Sequence, residues 1–513
     1  MDRRTFLTDL SRYAFVCSGT PRLWRVTRGP RLAGDPFTLG VASGDPTPDA
    51  CVIWTRLAPD PLALTGGMER VRVSLGWEVA HDEAFTQVVR RGTYTAAPEL
   101  GHSVHVDVQG LEPDRWYFYR FTLTEGPSPV GRLRTTPAVG AETPLDFAFA
   151  SCQHWEQGLF TAFEHMARED LDLVAHLGDY IYEGVSSTTP VRRHHLREVV
   201  SLDDYRNRYA QYKTDPALQD AHARCPWIVT WDDHEVDNNY AGLVGENVFE
   251  SEEQMRLRRA AGYQAWWEHQ AVRVPRARSW ADLDIRRSMA WGSLARFWVM
   301  DTRQYRSGQA CGSGSRQVPC GEWGDPSRTM LGDAQERWLL DGMSASRERW
   351  QVLAQQIMMS PFDGDPGPDT FTSMDQWSGY PVARDRLLAA VAERAAGRTV
   401  VVTGDIHSSW VNDLRAGFDR PDRPVVATEF VGTSITSGGD GEEQSARVTA
   451  ALAANPHVHW QNSRRGYVRC RVTPEEWRAD YRTVEYVSRP GAPLLTPTSW
   501  RCLNGRPGVE RVA

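Results

Sequence analysis

The sequence predicts an α/β protein, in which helices flank a mixed or largely parallel β-sheet and a small all-β domain comes first. Three observations carry this. From about residue 145 onward, short apolar runs alternate with amphipathic stretches. Residues 37–136 hold short, partly alternating strands separated by turn signals, the pattern of a β-sandwich. Between the two regions lies Pro137-Ala138-Val139-Gly140-Ala141-Glu142-Thr143-Pro144, a linker rich in turn formers.

Length and composition set the frame. A chain of 513 residues is too long for one core, and two or three domains are expected. We divide it into a start at 1–34, the all-β domain at 37–136, the α/β domain at 145–490 and a Gly/Pro-rich tail at 491–513. The hydrophobic share of 41% is ordinary for a globular protein. No run approaches the roughly 18 apolar residues of a spanning helix, so no transmembrane segment is expected. The net charge is −8, and residues 1–34 hold seven Arg and two Asp, so the remainder carries about −13. So acidic a chain is not expected to be a nucleic-acid-binding module. Local Arg clusters still suit an anionic substrate.

Asp2-Arg3-Arg4-Thr5-Phe6-Leu7 resembles a twin-arginine export signal, with two arginines before a short apolar stretch. Ser11-Arg12 interrupts that stretch, and no small-x-small cleavage site precedes Phe37. The expectation is export by the twin-arginine machinery to a periplasmic, cell-wall-associated or secreted location. Eight cysteines stand at 17, 51, 152, 225, 311, 320, 470 and 502, with no C-x-x-C pair and hence no sign of a structural zinc module. Cys311 and Cys320 flank a Gly/Ser-rich loop and are placed to form a disulfide in an oxidising compartment. Cys470 and Cys502 are a second candidate pair. Cys51 and Cys225 lie beside apolar strands and read as buried thiols.

In chain order, the all-β domain has strands at Val52–Leu57, Val71–Trp77, His102–Val108, Trp116–Leu123 and Val130–Arg134. Gly110-Leu111-Glu112-Pro113 before Trp116-Tyr117 resembles the tyrosine corner of fibronectin type III modules. None of these residues suggests chemistry. In the α/β domain, Phe147–Cys152 and Leu173–Leu177 read as strands with a helix, Phe160–Arg168, between them. Residues 185–197 read as a polar loop over the site. Helices follow at Asp203–Gln211, Asp215–Ala223 and Ser251–His269, the last with Ser251 as N-cap and Glu252 and Glu253 in its first turn. Strands are expected at Pro226–Trp231, Leu294–Asp301, Trp350–Met359, Thr399–Thr403, Val425–Val431, Tyr467–Thr473 and Trp477–Val484. Helices are expected at Ala334–Met343 and Ala383–Ala395, and an insertion without periodicity at 307–328.

Four strands end in residues that bind metals. They run into Ser151-Cys152, into Gly178-Asp179-Tyr180-Ile181-Tyr182-Glu183, into Asp232-Asp233-His234-Glu235 and into Gly404-Asp405-Ile406-His407. Open α/β sheets place their sites at the carboxyl ends of strands. Asp179 and Tyr182 share one turn. A tyrosine hydroxyl has a free pKa of about 10, so only a strongly Lewis-acidic ion keeps it ionised at neutral pH, and ferric iron is the natural choice. Cys152 adds a thiolate, and Asp179 is placed to bridge to a second metal. Asp405 and His407 read as i, i+2 on an extended strand, facing one side. Oxygen ligands from Asp233 and Asn239 suit a hard divalent ion such as calcium. Singly, an Asp, Tyr or Cys at a strand end is more often a cap or a core residue. The pairing of Asp179 with Tyr182 and of Asp405 with His407, beside Asp233-His234, points to a polynuclear metal site. Trp231 and Trp410 read as packing around it, and His154, His176 and His222 as structural.

Leu177–Glu183, Trp231–Asn239 and Gly404–Trp410 resemble the motifs of the PhoD-type alkaline phosphatases, a branch of the calcineurin-like metallophosphoesterases related to the purple acid phosphatases. Val41–Pro46 with Trp54–Leu57, Asp301–Tyr305 and Glu429–Ser434 are also similar to that family. The resemblance runs from about Phe37 to about Tyr486. It implies a metallophosphoesterase-type sandwich of mixed β-sheets flanked by helices, after a fibronectin III-like N-terminal domain. It further implies an envelope phosphatase using Fe3+ and Ca2+. Carried over by position, Cys152, Asp179 and Tyr182 hold iron, and Asp179 bridges to calcium. Asp233 stands where the superfamily has a metal-binding Asn, with Asp232 as the alternative register, and His234 where it has a catalytic His. Asn239, Asp405 and His407 complete the calcium side.

The mechanism so implied is hydrolysis of a phosphate-ester substrate by a metal-bound hydroxide. His234 is expected to protonate the leaving oxygen or to bond the phosphate. Arg192, Arg193 or Arg303 is expected to bind nonbridging oxygens. Two rivals remain. One is a phosphodiesterase acting on envelope polymers or phospholipids. The other is a non-catalytic binding protein built on the β-sandwich, which leaves the four strand ends unexplained.

Overall fold

In the computed structural model the described residues are 34–512, apart from 186–187, 247–249, 313–316, 366 and 421. The twin-arginine reading and Cys17 lie outside them. The front of the chain forms β1 (Val41–Gly44), β2 (Ala50–Arg56), β3 (Val73–Ala80), β4 (Val88–Ala96), β5 (Ser103–Gln109), β6 (Trp116–Leu123), β7 (Gly126–Pro127) and β8 (Gly131–Arg134). β3, β4, β6, β7 and β8 make a five-stranded sheet. It shares a core with β1, β2 and β5 through Ile53, Leu75, Val79, Val106, Tyr119 and Phe121. This is the all-β domain expected. The Tyr117 hydroxyl accepts a hydrogen bond from the Glu112 N–H at 2.9 Å, which is the tyrosine corner.

Next come β9 (Leu145–Ala150), α1 (Thr161–Met166), β10 (Leu173–His176), α2 (Leu202–Lys213), α3 (Pro216–Arg224), β11 (Trp227–Val229) and α4 (Glu252–His269). Ser251 caps α4 as expected. It accepts from the Gln254 N–H, and the Gln254 side chain accepts from the Ser251 N–H at 2.9 Å. β9, β10 and β11 are parallel neighbours. The front domain does not stand apart from them, because β1 pairs in parallel with β11. At that seam a Cβ on Gly44 would lie 2.2 Å from the Ala271 carbonyl oxygen, so the approach requires glycine.

The second half supplies β12 (Arg287–Trp291), β13 (Ala295–Val299), α5 (Gly332–Ala345), β14 (Trp350–Ala354), α6 (Pro381–Arg394), β15 (Thr399–Thr403), β16 (Ser409–Arg415), β17 (Val425–Val431), α7 (Ala446–Ala451), β18 (Val458–Asn462), β19 (Gly466–Val472), β20 (Glu476–Val484), β21 (Leu494–Leu503) and β22 (Arg506–Arg511). One large sheet has the order β22-β21-β20-β19-β9-β10-β11-β1-β2-β5, and the other β12-β13-β14-β15-β17-β16-β18. Side chains alternate along each strand and fill the layers in turn. Phe147, Phe149, Val400 and Val402 pack between the two large sheets. Ala148 and Ala150 face α1–α4 with Trp227, and Val401 faces α5 and α6. Burial on both faces is why these strands read as unbroken apolar runs.

Three readings are corrected. Residues 494–511 are not a tail but the hairpin β21–β22, and Trp500 and Cys502 join the core between the sheets. Cys470 and Cys502 are free and buried. They lie on β19 and β21, with β20 between them, about 10 Å apart by strand spacing and too far to bridge. β4, β12, β16 and β18 were not expected as strands. β4 is an edge strand whose exposed positions are polar apart from Val88, so it lacks the apolar signal. Cys311 and Cys320 do form the expected disulfide. Among the described residues no helix is long and apolar enough to cross a membrane.

Candidate metal centre

The carboxyl ends of β9, β10, β11 and β15 converge, bringing the four predicted strand ends together from both large sheets. Backbone bonds tie the turns to one another. Cys152 N–H donates to Gly178 O at 3.2 Å, and Gln153 N–H to Asp179 O at 3.0 Å. The Glu235 carboxylate staples two of them, accepting from the N–H of Asp179 (3.1 Å), Tyr180 (2.6 Å) and Asp232 (2.7 Å). Gly178 has φ +106°, and a Cβ there would sit 2.5 Å from that of Asp232, so glycine lets the turns touch. Ten described non-glycine residues have positive φ, and five of them are predicted site residues: Cys152, Asp179, Asn239, Asp405 and His407. Such conformations cost of order 1–3 kcal/mol each and persist only where the surroundings enforce them, which is typical of functional sites.

The possible ligand atoms fall into three groups, each within 4.8 Å: Cys152, Asp179 and His407; Asp179, Asp233 and His234; and Asp232, Asp233 and Asp405. Asp179 belongs to two of them, as a bridging carboxylate would. The Tyr182 hydroxyl lies 2.7 Å from Asp179 Oδ2, 3.0 Å from His407 Nε2 and 2.6 Å from Ser437 Oγ. His407 therefore sits with Cys152 and Tyr182, and the expected pairing of Asp405 with His407 is corrected. β15 ends at Thr403, and φ is +63° at Asp405 and +54° at His407, so extended-strand alternation does not apply. Asp233, not Asp232, lines the cavity beside His234. The Asn239 N–H donates to Asp233 Oδ2 at 2.6 Å.

Burial, followed by the Asp179 charge, pushes both the Cys152 thiol and the Tyr182 phenol well above their usual ranges. A multiply charged cation is what would ionise them. Burial pushes the Asp405 carboxyl up to about 6 against the pull of Arg303. Burial opposes a charged His234, but the carboxylates of Glu183, Asp233 and Asp179 outweigh it and raise the imidazole well above its ordinary value. Its Nδ1 lies 2.7 Å from Glu183 Oε2.

Two predicted phosphate-binding arginines are not free to do that work. Arg303 is fully buried. Its guanidinium donates to Asp232, to Asp375 at 2.8 and 3.0 Å and to Asp405 at 2.9 Å, with Asp233 at 3.6 Å. It holds the carboxylates together and does not line the cavity. Arg192 pairs with Asp215 at 2.5 Å, donates to the carbonyls of Trp155 and Gly158, and stacks on the Trp155 ring at 3.6 Å. These contacts hold Arg192 against Trp155 and Asp215, and it does not line the cavity. The Arg193 carbonyl and buried His194 serve the same packing, toward Trp155 and Tyr212.

The cavity above the cluster holds about 510 Å³. Sequence reasoning missed several residues around it. Asp375 accepts from Arg303, Arg306 and Gln309, and the Gln376 amide donates to Asp405. Both lie in the loop between β14 and α6, where no periodicity marks them. Arg447, on the short helix α7, brings a guanidinium to the cavity lining. Glu183 and Glu235 stood inside recognised motifs but carried no assigned role. The donor set fits metal. Asp179 Oδ1 and Asp233 Oδ1 are buried without a hydrogen-bond partner, a costly state for a carboxylate that a cation relieves.

The profile of the PhoD-like phosphatase family matches residues 147–481, and that of the PhoD-like phosphatase N-terminal domain matches residues 25–137. Alkaline phosphatase D of Bacillus subtilis (strain 168) is 46% identical over 523 residues, spanning 100% of this chain and 89% of that protein. A solved structure of PhoD is 48% identical with a TM-score of 0.91, covering 94% of this chain and 93% of that one. The purple acid phosphatase PPD1 from yellow lupin (Lupinus luteus) seeds is 11% identical with a TM-score of 0.55, over 90% of this chain and 73% of that one, and shares the fold.

Proposed function

Because the chain belongs to the PhoD-like phosphatase family, and is therefore a phosphoric ester hydrolase, we propose how its residues divide the work and which metals they hold. Fe3+ is held by Cys152, Asp179, Tyr182 and His407. Ca2+ is held by Asp233, Asn239 and Asp405, with Asp179 shared. The observation that carries this is the meeting of a thiol, a phenol and an imidazole at Asp179, with oxygen donors alone at Asp405. Bound there, the metals supply Lewis acidity that activates water and neutralises phosphoryl oxygens.

The chain's own groups do the rest. Arg303 holds Asp232, Asp375 and Asp405 in place. Glu183 engages His234 Nδ1, leaving Nε2 to give a proton to the leaving oxygen. Arg447 puts a positive charge at the cavity mouth for the anionic substrate. Room for a second substituent in a 510 Å³ cavity favours phosphodiesters as additional substrates. We also propose export by the twin-arginine route to the periplasm, cell wall or exterior. Arg3-Arg4 and the Cys311–Cys320 disulfide support it, since disulfides persist in oxidising compartments.

Metal analysis of purified full-length protein, with side-by-side assay of nitrophenyl phosphate monoester and diester, tests this reading. Iron and calcium with metal-dependent turnover are expected. Full activity in an iron-free protein overturns the iron assignment.

A further inference from the structure

Hydrolysis of a phosphoryl group requires no carbon surface, yet one wall of the cavity is carbon. Met358, Phe362, Phe371, Ile406, Val448 and Ala451 supply it, in the same cavity that Asp179, Asp233, His234 and His407 line. Phe362, Ile406 and Val448 pack on the buried cluster of Met358, Trp410 and Val431, with the Phe362 ring edge-on to Trp410 at 4.8 Å. The wall is built from three separate stretches: the loop after β14, the turn after β15, and α7.

This wall is braced. Gly364 N–H donates to Phe371 O at 2.9 Å. Thr372, the next residue, exchanges backbone bonds of 2.9 and 3.0 Å with Gln317. Gln317 is three residues before Cys320, which is held by the disulfide to Cys311. On the other side, Asp363 N–H donates to Asn455 at 2.9 Å, and Arg447 reaches Gly364 O at 3.3 Å. A concave, preformed, largely apolar wall beside a few convergent polar groups is the form that binding sites for organic ligands take.

We infer that the wall is a subsite for the organic group of the ester, and that it favours an apolar, ring-sized group over a polyol. This rests on the hydrolytic reading, since the subsite is continuous with the metal centre. It places Phe362 and Phe371 as specificity-determining residues.

The test compares kcat/KM for 2-naphthyl phosphate and glycerol 2-phosphate in wild type, Phe371→Ala and Phe362→Ala, each as metal-loaded full chain. Comparing each variant with wild type on the same substrate cancels the intrinsic difference between the leaving groups. Each variant is expected to lose about tenfold more on the naphthyl ester than on the glycerol ester, the scale of one apolar contact. Equal losses on both, or no loss, overturn the subsite. Calorimetric binding of naphthylmethylphosphonate and methylphosphonate to wild type reads the same subsite without turnover. Equal affinities overturn it even if neither ester is hydrolysed, an outcome that would separately sink the hydrolytic reading. Val448→Ser, on the half-buried face of α7, serves if the phenylalanine variants fail to fold.

Discussion

The Tyr182 hydroxyl meets His407 Nε2 at 3.0 Å across 225 residues of sequence. The same hydroxyl lies 2.7 Å from Asp179, so His407 belongs to the Cys152 side of the centre and Asp405 to the other. Two residues that are neighbours in the motif thus serve different halves of the site.

Mutation should separate those halves. Wild type should show a visible phenolate-to-iron band, and Tyr182→Phe should bleach it. His407→Ala should lose iron together with the band. Asp405→Ala should keep the band and lose calcium, and both variants should lose turnover. Absorption spectra with elemental analysis decide it, and loss of the band in Asp405→Ala would contradict the division.

His234 has its Nδ1 fixed by Glu183 and lines the cavity. His234→Ala should keep its metals and lose about 10²–10⁴-fold in rate on alkyl phosphates, with a smaller loss on nitrophenyl phosphate. An alcohol leaves as a strong base and needs the proton, whereas a nitrophenolate needs little help. Equal losses with metals in place would assign His234 to the nonbridging oxygens instead.

Arg303 touches carboxylates on every side and is fully buried. Removing one partner from a buried charge network typically costs about 3–5 kcal/mol. Arg303→Gln should therefore lower Tm and metal content together. A variant with unchanged Tm and metals but a raised KM would return Arg303 to the substrate.

The Cys311–Cys320 disulfide lies close in sequence to Gln317, whose backbone pairs with Thr372 next to the cavity residue Phe371. Cys311→Ser should raise KM for the naphthyl ester with metal content unchanged. A loss of metal would show that the disulfide supports the whole centre.

Buried histidines predict acid sensitivity. Burial lowers His176 to about 3 and holds His222 well below its usual value, and both rings stack on Trp227. The unfolded chain takes up these protons near pH 6.5, while the folded chain does not. Stability is therefore full above about pH 6.5 and falls as pH drops toward 3, by up to about 1.4 kcal/mol per pH unit for each histidine. Urea midpoints of wild type between pH 7 and 5 should show the fall, and His176→Asn should flatten it. An unchanged slope in the variant would remove His176 as a cause.

Much of the centre was legible because its candidate ligands follow apolar strands, and a strand buried on both faces is a local signal. Cys152, Asp179, Asp233 and Asp405 were found at the ends of β9, β10, β11 and β15 in this way. Asp375, Gln376 and Arg447 were not, since loops and a six-residue helix carry no period. β21 and β22 were missed because an edge hairpin rich in Pro, Thr and Gly resembles a tail until its partner β20 is known.

While the sandwich of two sheets was implied only by the family resemblance, the sequence by itself determined the buried central strands, most of the helices that cover them and the residue types at the strand ends. These follow from burial period and capping, which act over a few residues. Only the tertiary structure decided which side chain meets which. His407 turns toward Tyr182 because positive φ at Asp405 and His407 redirects the chain after Thr403. Arg303 and Arg192 are spent on Asp232, Asp375, Asp405 and Asp215 because burial forces each guanidinium to find its carboxylates within the fold. Both outcomes depend on contacts between residues far apart in the chain, which no local pattern records.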